Sequence, residues 1–140
     1  MEGAGLIFFL ATALILAVVG IIAIAYTSKN GPKLNREKYQ ARWLQTEHTL
    51  KHDNPESYQV AVMNADKLLD MALRERKFKG KTMGERMKSA QTTWTNPNHV
   101  WAAHKIRNRI AHESDMHVTY EIAARSLTAY KQGLKDLGAI

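Results

Sequence analysis

Arg107, Asn108 and His112 fall within one short stretch, Lys105 to Glu113, which reads K-I-R-N-R-I-A-H-E. A guanidinium pairs with anions through a planar fork of donors. An imidazole exchanges a proton close to neutral pH. The pattern R-N-x-x-x-H therefore brings together residue types that can carry chemistry. It also has plain readings. Arg107 can pack its stem and pair its head with Asp66 or Asp70. His112 can serve as a favourable cation at a helix carboxyl end.

Helical geometry separates the members of this stretch. Val100, Ala103, Ile106 and Ile110 make one apolar face. Arg107 falls inside that face and Arg109 opposite it. An inward arginine needs an acceptor or a water-filled cleft. Five residues of ideal helix set His112 about 140° from Arg107. The two converge on one ligand only if the helix ends or distorts near Ala111, or if two copies of the chain meet.

The elements that must position this stretch read as helices. A first soluble helix is predicted over 35–52, with Tyr39, Trp43, Leu44 and Leu50 as a patchy apolar face, stopped by Asp53-Asn54-Pro55. A second starts at Pro55. Its stripe, Tyr58, Ala61, Val62, Ala65, Leu68, Leu69, Ala72 and Leu73, repeats at three- and four-residue spacing. Asp66 lies at the edge of that stripe, about 80° from its centre, and Asp70 lies further toward solvent. The helix fades into the basic run Arg74, Arg76, Lys77, Lys79 and Lys81, with Gly80 as its stop. That run can track nucleic-acid phosphates or lie against anionic lipid.

Thr82 and Glu85 have the spacing of a capping box for a short third helix. Asn96-Pro97 opens the helix that carries Arg107. Thr119 caps a last helix, reaching Leu137, with the stripe Tyr120, Ala123, Ala124, Leu127, Tyr130, Leu134 and Leu137. Trp94 and Trp101 read as packing residues. No segment alternates with a period of two, so no sheet is predicted.

Before these helices, Gly3 to Ser28 carries no charge. About 20 apolar residues suffice to cross the ~30 Å hydrocarbon core of a bilayer. A signal peptide would have a basic flank and a shorter apolar run, although Ala23-Ile24-Ala25 has the look of a cleavage site. A buried core helix would need a polar face. The segment reads as a permanent single-pass anchor in the cell membrane. Lys29, Lys33, Arg36, Lys38 and Arg42 follow the span, which predicts a cytoplasmic carboxyl-terminal part and contact with anionic headgroups.

The predicted organisation is thus all-α. A transmembrane anchor (1–28) and a juxtamembrane linker (29–33) precede an antiparallel four-helix bundle with one short inserted helix (34–140). The 140 residues contain no cysteine and carry a formal charge of +7. Disulfides, thiolate nucleophiles and cysteine-ligated metals are therefore excluded. His48 and His52, flanked by Glu47 and Asp53, have a spacing that can hold a metal, but no further ligands accompany them. They read as a solvated face, and no metal site or cofactor is expected.

A motif R-N-x-x-x-H near the end of the third long helix of a small bundle resembles the HEPN superfamily (higher eukaryote and prokaryote nucleotide-binding). Arg107 matches the family's arginine, Asn108 its polar follower and His112 its histidine. Asp66 matches an acidic residue that the family often carries on the second helix. The resemblance covers roughly 34–137. It implies a metal-independent endoribonuclease that uses the RNA 2′-hydroxyl and leaves a cyclic phosphate, built as a homodimer with two motifs face to face. His112 would then be the general acid or base, and Arg107 would hold the phosphate. Asn108 would orient its neighbours, and Asp66 would position Arg107 or His112. One subgroup carries a tyrosine two residues after the histidine as a modification site; here that position is Ser114. Other members have lost catalysis, which leaves a non-catalytic, membrane-tethered interaction or dimerisation module as the alternative.

Overall fold

The computed structural model describes residues 2–29 and 31–140, and side-chain burial for 5–23 and 31–140. Asn30 of the expected turn and the side chains of Ile24 to Lys29 lie outside the described residues. Among those described, six helices and no strand form. They divide into two compact units, 1–31 and 32–140.

The first unit is α1 (Glu2–Lys29). Its stretch Gly5–Ala23 is long and apolar enough to cross a membrane. Its large side chains are exposed all round; Phe8, for example, is 74% exposed. A helix apolar on every face suits lipid rather than water.

The second unit holds α2 (Arg36–Thr49), α3 (Glu56–Glu75), α4 (Met83–Ser89), α5 (Pro97–His112) and α6 (Tyr120–Asp136). Helix α3 is central and packs against each of the other four, while α5 also packs on α6. The whole predicted stripe of α3 is buried, together with Leu127, Tyr130, Leu134 and Leu137 from the last helix. Burial of such side chains stabilises by roughly 1.5–3 kcal/mol each for the larger ones. Helix starts follow their caps. Asn35, Asn96 and Thr119 accept from the backbone N–H three residues on. Thr82 and Glu85 make the predicted capping box. Trp94 is buried, its Nε1 donating to the Met87 carbonyl.

Three local expectations are corrected. Helix α2 stops at Thr49, not 52, because Leu50 turns extended and is partly buried against the core. Leu44, expected on the apolar face, is 54% exposed. Helix α3 stops at Glu75, well before Gly80. Lys77 adopts φ 61°, and the N–H groups of Lys77 and Phe78 bond the carbonyls of Arg74 and Leu73. That double bond closes the helix with a left-handed residue, here a lysine at a cost of about 1 kcal/mol relative to glycine. Gly80 is needed for another reason. At φ 151° it approaches α4 so closely that a Cβ would lie 2.6 Å from the Arg86 nitrogen.

Candidate functional site: a polar cleft at the α3–α4–α5 junction

Asp66 is the centre of the site. It sits on α3, 3% exposed, where helices α5 and α6 close over it. Its Oδ1 accepts from Tyr130 Oη of α6 at 2.8 Å and lies 2.8 Å from His104 Nδ1 of α5. Arg107 Nε, also on α5, lies 3.1 Å from Oδ2. This last contact is an ion pair whose N–H is not aimed along it, so it lacks the alignment of a hydrogen bond. One buried carboxylate therefore gathers three groups from two helices. A buried charge is tolerable when its lone pairs are so occupied.

Tyr130 shows the cost of that environment from the other side. Burial, the charge of Asp66 and the hydrogen bond to it all push the Tyr130 phenol well above its ordinary range. It remains a donor to Asp66 at every physiological pH.

Arg107 is aimed inward, as its place on the helical wheel requires, and pairs with Asp66 rather than Asp70. A third of its side chain stays exposed, and its Nη1 donates to Asn108 Oδ1 at 3.0 Å. Arg107 and Asn108 line a cleft of about 650 Å³ between α3, α4 and α5. Five cationic side chains, Lys67, Arg74, Lys81, Arg86 and Arg107, border it against two acidic ones, Asp66 and Asp70. Such a surface attracts anions.

His112 is placed elsewhere. Helix α5 runs without interruption to His112, and Glu113 caps it through the Arg109 carbonyl. The helix end falls after the histidine, so no distortion near Ala111 swings it toward Arg107. His112 is exposed, does not line the cleft and has no hydrogen-bond partner among the described residues. Within one chain the structure brings Asp66, Arg107 and Asn108 together and leaves His112 apart. Arg109 points outward and pairs with Glu113 at 3.0 Å.

The basic run also divides. Arg74 and Lys81 border the cleft, whereas Arg76, Lys77 and Lys79 do not. Arg74 Nε pairs with Asp70 Oδ2 at 2.9 Å, and Arg76 Nη1 reaches the Pro32 carbonyl at 3.4 Å.

Two residues of the site were not anticipated. His104 is 7% exposed and shares Asp66 with Arg107. It follows Val100 by four residues and precedes Arg107 by three, so its position on the inward face was the available signal. Arg86 of α4 sends Nε and Nη2 to Asp70 Oδ1 at 2.8 and 2.7 Å, and Nη1 to the Gly80 carbonyl at 2.9 Å. No periodicity marks it, because it lies in a generally basic segment. Asp70 is correspondingly less solvated than expected, with 17% of its side chain exposed. Asp66 and Asp70, one turn apart on α3, thus tie α5, α6 and α4 to the central helix.

Among the described residues no group of three His, Cys, Asp or Glu side chains is placed to hold a metal. No family model, curated protein or solved structure matches the chain.

Proposed function

We propose that this chain is a membrane-anchored, HEPN-like domain that acts on cytoplasmic RNA as a homodimeric, metal-independent endoribonuclease. The observation that carries the reading is Arg107: a buried carboxylate holds it, yet it stays partly exposed beside Asn108 in a cationic cleft. A guanidinium so fixed can bind a phosphate without losing much side-chain entropy. It can also stabilise the charge that develops when the RNA 2′-hydroxyl attacks that phosphate. Asp66 acts here as a positioning residue. The proton-transfer group is His112 of a second copy, because within one chain His112 lies on another side of α5. Helix α1 holds the domain at the bilayer, and the basic residues after it favour the cytoplasmic side.

The test uses the full chain in detergent micelles with single-stranded RNA and EDTA. Cleavage with cyclic-phosphate ends is expected from the wild type and is lost in Arg107→Ala and His112→Ala. Cleavage that needs a divalent metal, or that survives both substitutions, contradicts the reading.

A second reading is a non-catalytic, membrane-tethered dimerisation or interaction module. The exposed His112, without a partner among the described residues, favours it. It predicts no cleavage, and His112→Ala then changes self-association alone.

A further inference from the structure

His104 is the group that the motif does not account for. Its ring is more than nine-tenths buried and borders the cationic cleft. Nδ1 lies 2.8 Å from Asp66 Oδ1. A carboxylate only accepts, so that nitrogen carries the proton and donates. The remaining nitrogen, Nε2, has no partner among the described residues. A methyl group added at Gly84 of α4 would lie 3.9 Å from Nε2, and 3.9 Å from the edge of the Trp101 ring. Nε2 therefore looks out across the bare backbone of Gly84, where the cleft meets a half-buried aromatic ring.

On α5, His104 and Arg107 are three residues apart and so about 60° apart around the axis. They contact opposite oxygens of one carboxylate. Asp66 fixes both toward the same cleft, which the Arg107–His112 pair cannot achieve in one chain. With Nδ1 turned to Asp66, a ring that bears hydrogens on both nitrogens has one N–H left to donate, at Nε2.

From this geometry we propose that His104 and Arg107 together form an RNA phosphate-binding subsite contained within a single protomer, with Gly84 kept bare to admit the phosphate and Trp101 beside it to meet a base. The subsite rests on the RNA-directed reading above and adds the group that grips the phosphate on which His112 of the second copy acts. An RNA is favoured over a lipid headgroup because a base has an aromatic ring to set against the half-buried Trp101, and aromatic contacts to bases contribute to single-strand binding.

The test measures the affinity of the full chain in detergent micelles for a 2′-O-methyl oligouridylate, which cannot be cleaved through its 2′-oxygen. His104→Asn keeps a donor near Asp66 but removes Nε2. Gly84→Ala meets only ordinary contacts and, inside a helix, should stabilise the fold by up to about 1 kcal/mol. Both variants are expected to weaken binding about tenfold, Gly84→Ala with an unchanged or raised Tm. Lys51→Ala, which removes an exposed charge outside the cleft and outside the basic run, should stay within about twofold.

Wild-type affinity in Gly84→Ala, or in a folded His104→Asn, overturns the subsite. So does an absence of oligonucleotide binding, or binding through these residues to phosphatidylglycerol vesicles alone. The two proposals fail separately. If unmodified RNA is cut and His104→Asn cuts it equally well, the subsite falls and the ribonuclease stands. If the oligonucleotide is held through His104 and Gly84 but RNA is never cut, the ribonuclease falls and the subsite stands.

Discussion

Arg107 and His112 are two ends of one motif, and the fold treats them in opposite ways. Arg107 is aimed into the bundle, ion-paired with a carboxylate that also holds His104 and Tyr130. His112 occupies the last helical position of α5, exposed and without a partner among the described residues. The difference teaches that sequence proximity on a helix does not make a site. Five residues turn a side chain by about 140°, so a continuous helix assigns the two groups to different surfaces. A reaction that needs both has to recruit the second from another molecule.

Breaking the fixed end should have the largest effect on stability. Asp66→Ala leaves Arg107, His104 and Tyr130 without their acceptor and is expected to destabilise the bundle by about 3–5 kcal/mol, read from urea unfolding. The neighbouring clamp sharpens the comparison. Arg86→Ala frees Asp70 and the Gly80 carbonyl, and should cost about 2–3 kcal/mol while leaving Arg107 in place.

Tyr130→Phe removes one hydrogen bond to a buried charge, worth about 1.5 kcal/mol. It also changes the pH dependence. The folded-state pKa of Tyr130 is raised by burial and by Asp66. Its contribution is therefore fully present below the unfolded-state value of about 10 and is lost as pH rises beyond it. The wild type should lose stability above about pH 10, and Tyr130→Phe should lose less of it over the same range. Tyr39, whose phenol is also pushed upward by burial and by Glu75, supplies alkaline sensitivity in both proteins.

At the free end the effect on stability should be smallest. His112→Ala is expected to stay within about 0.5 kcal/mol of the wild type, in the same urea experiment. A larger loss would show that His112 is held by contacts the single chain does not display.

Much of the frame was legible in the sequence. The α3 stripe could be read because eight apolar residues recur at helical spacing. The starts of α4, α5 and α6 could be read because Thr82, Asn96 and Thr119 are residues that cap. The inward turn of Arg107 followed from its place between Ala103 and Ile110. Asp66 stood out because it lies at the edge of the stripe.

The rest depended on contacts between helices. His104 interrupts an apolar face and reads as a polar exception until α3 supplies Asp66. The bond from Tyr130 to Asp66 spans 64 residues and is fixed by how α6 packs on α3. Arg86 looks like one more basic residue until Asp70 and Gly80 close around it. The end of α3 was misplaced because a lysine took the left-handed position that glycine usually fills.

The measurement that bears most directly on the split between the two ends is complementation. Arg107→Ala and His112→Ala chains are each assayed for RNA cleavage, then unfolded together, refolded as a mixture in detergent and assayed again. If Arg107 of one copy works with His112 of the other, each variant alone is inactive. In a two-fold dimer about half of the dimers are mixed pairs, each with one of its two sites intact, and the mixture recovers about a quarter of wild-type activity. A mixture that stays inactive, although the refolded wild type cleaves, would contradict the account.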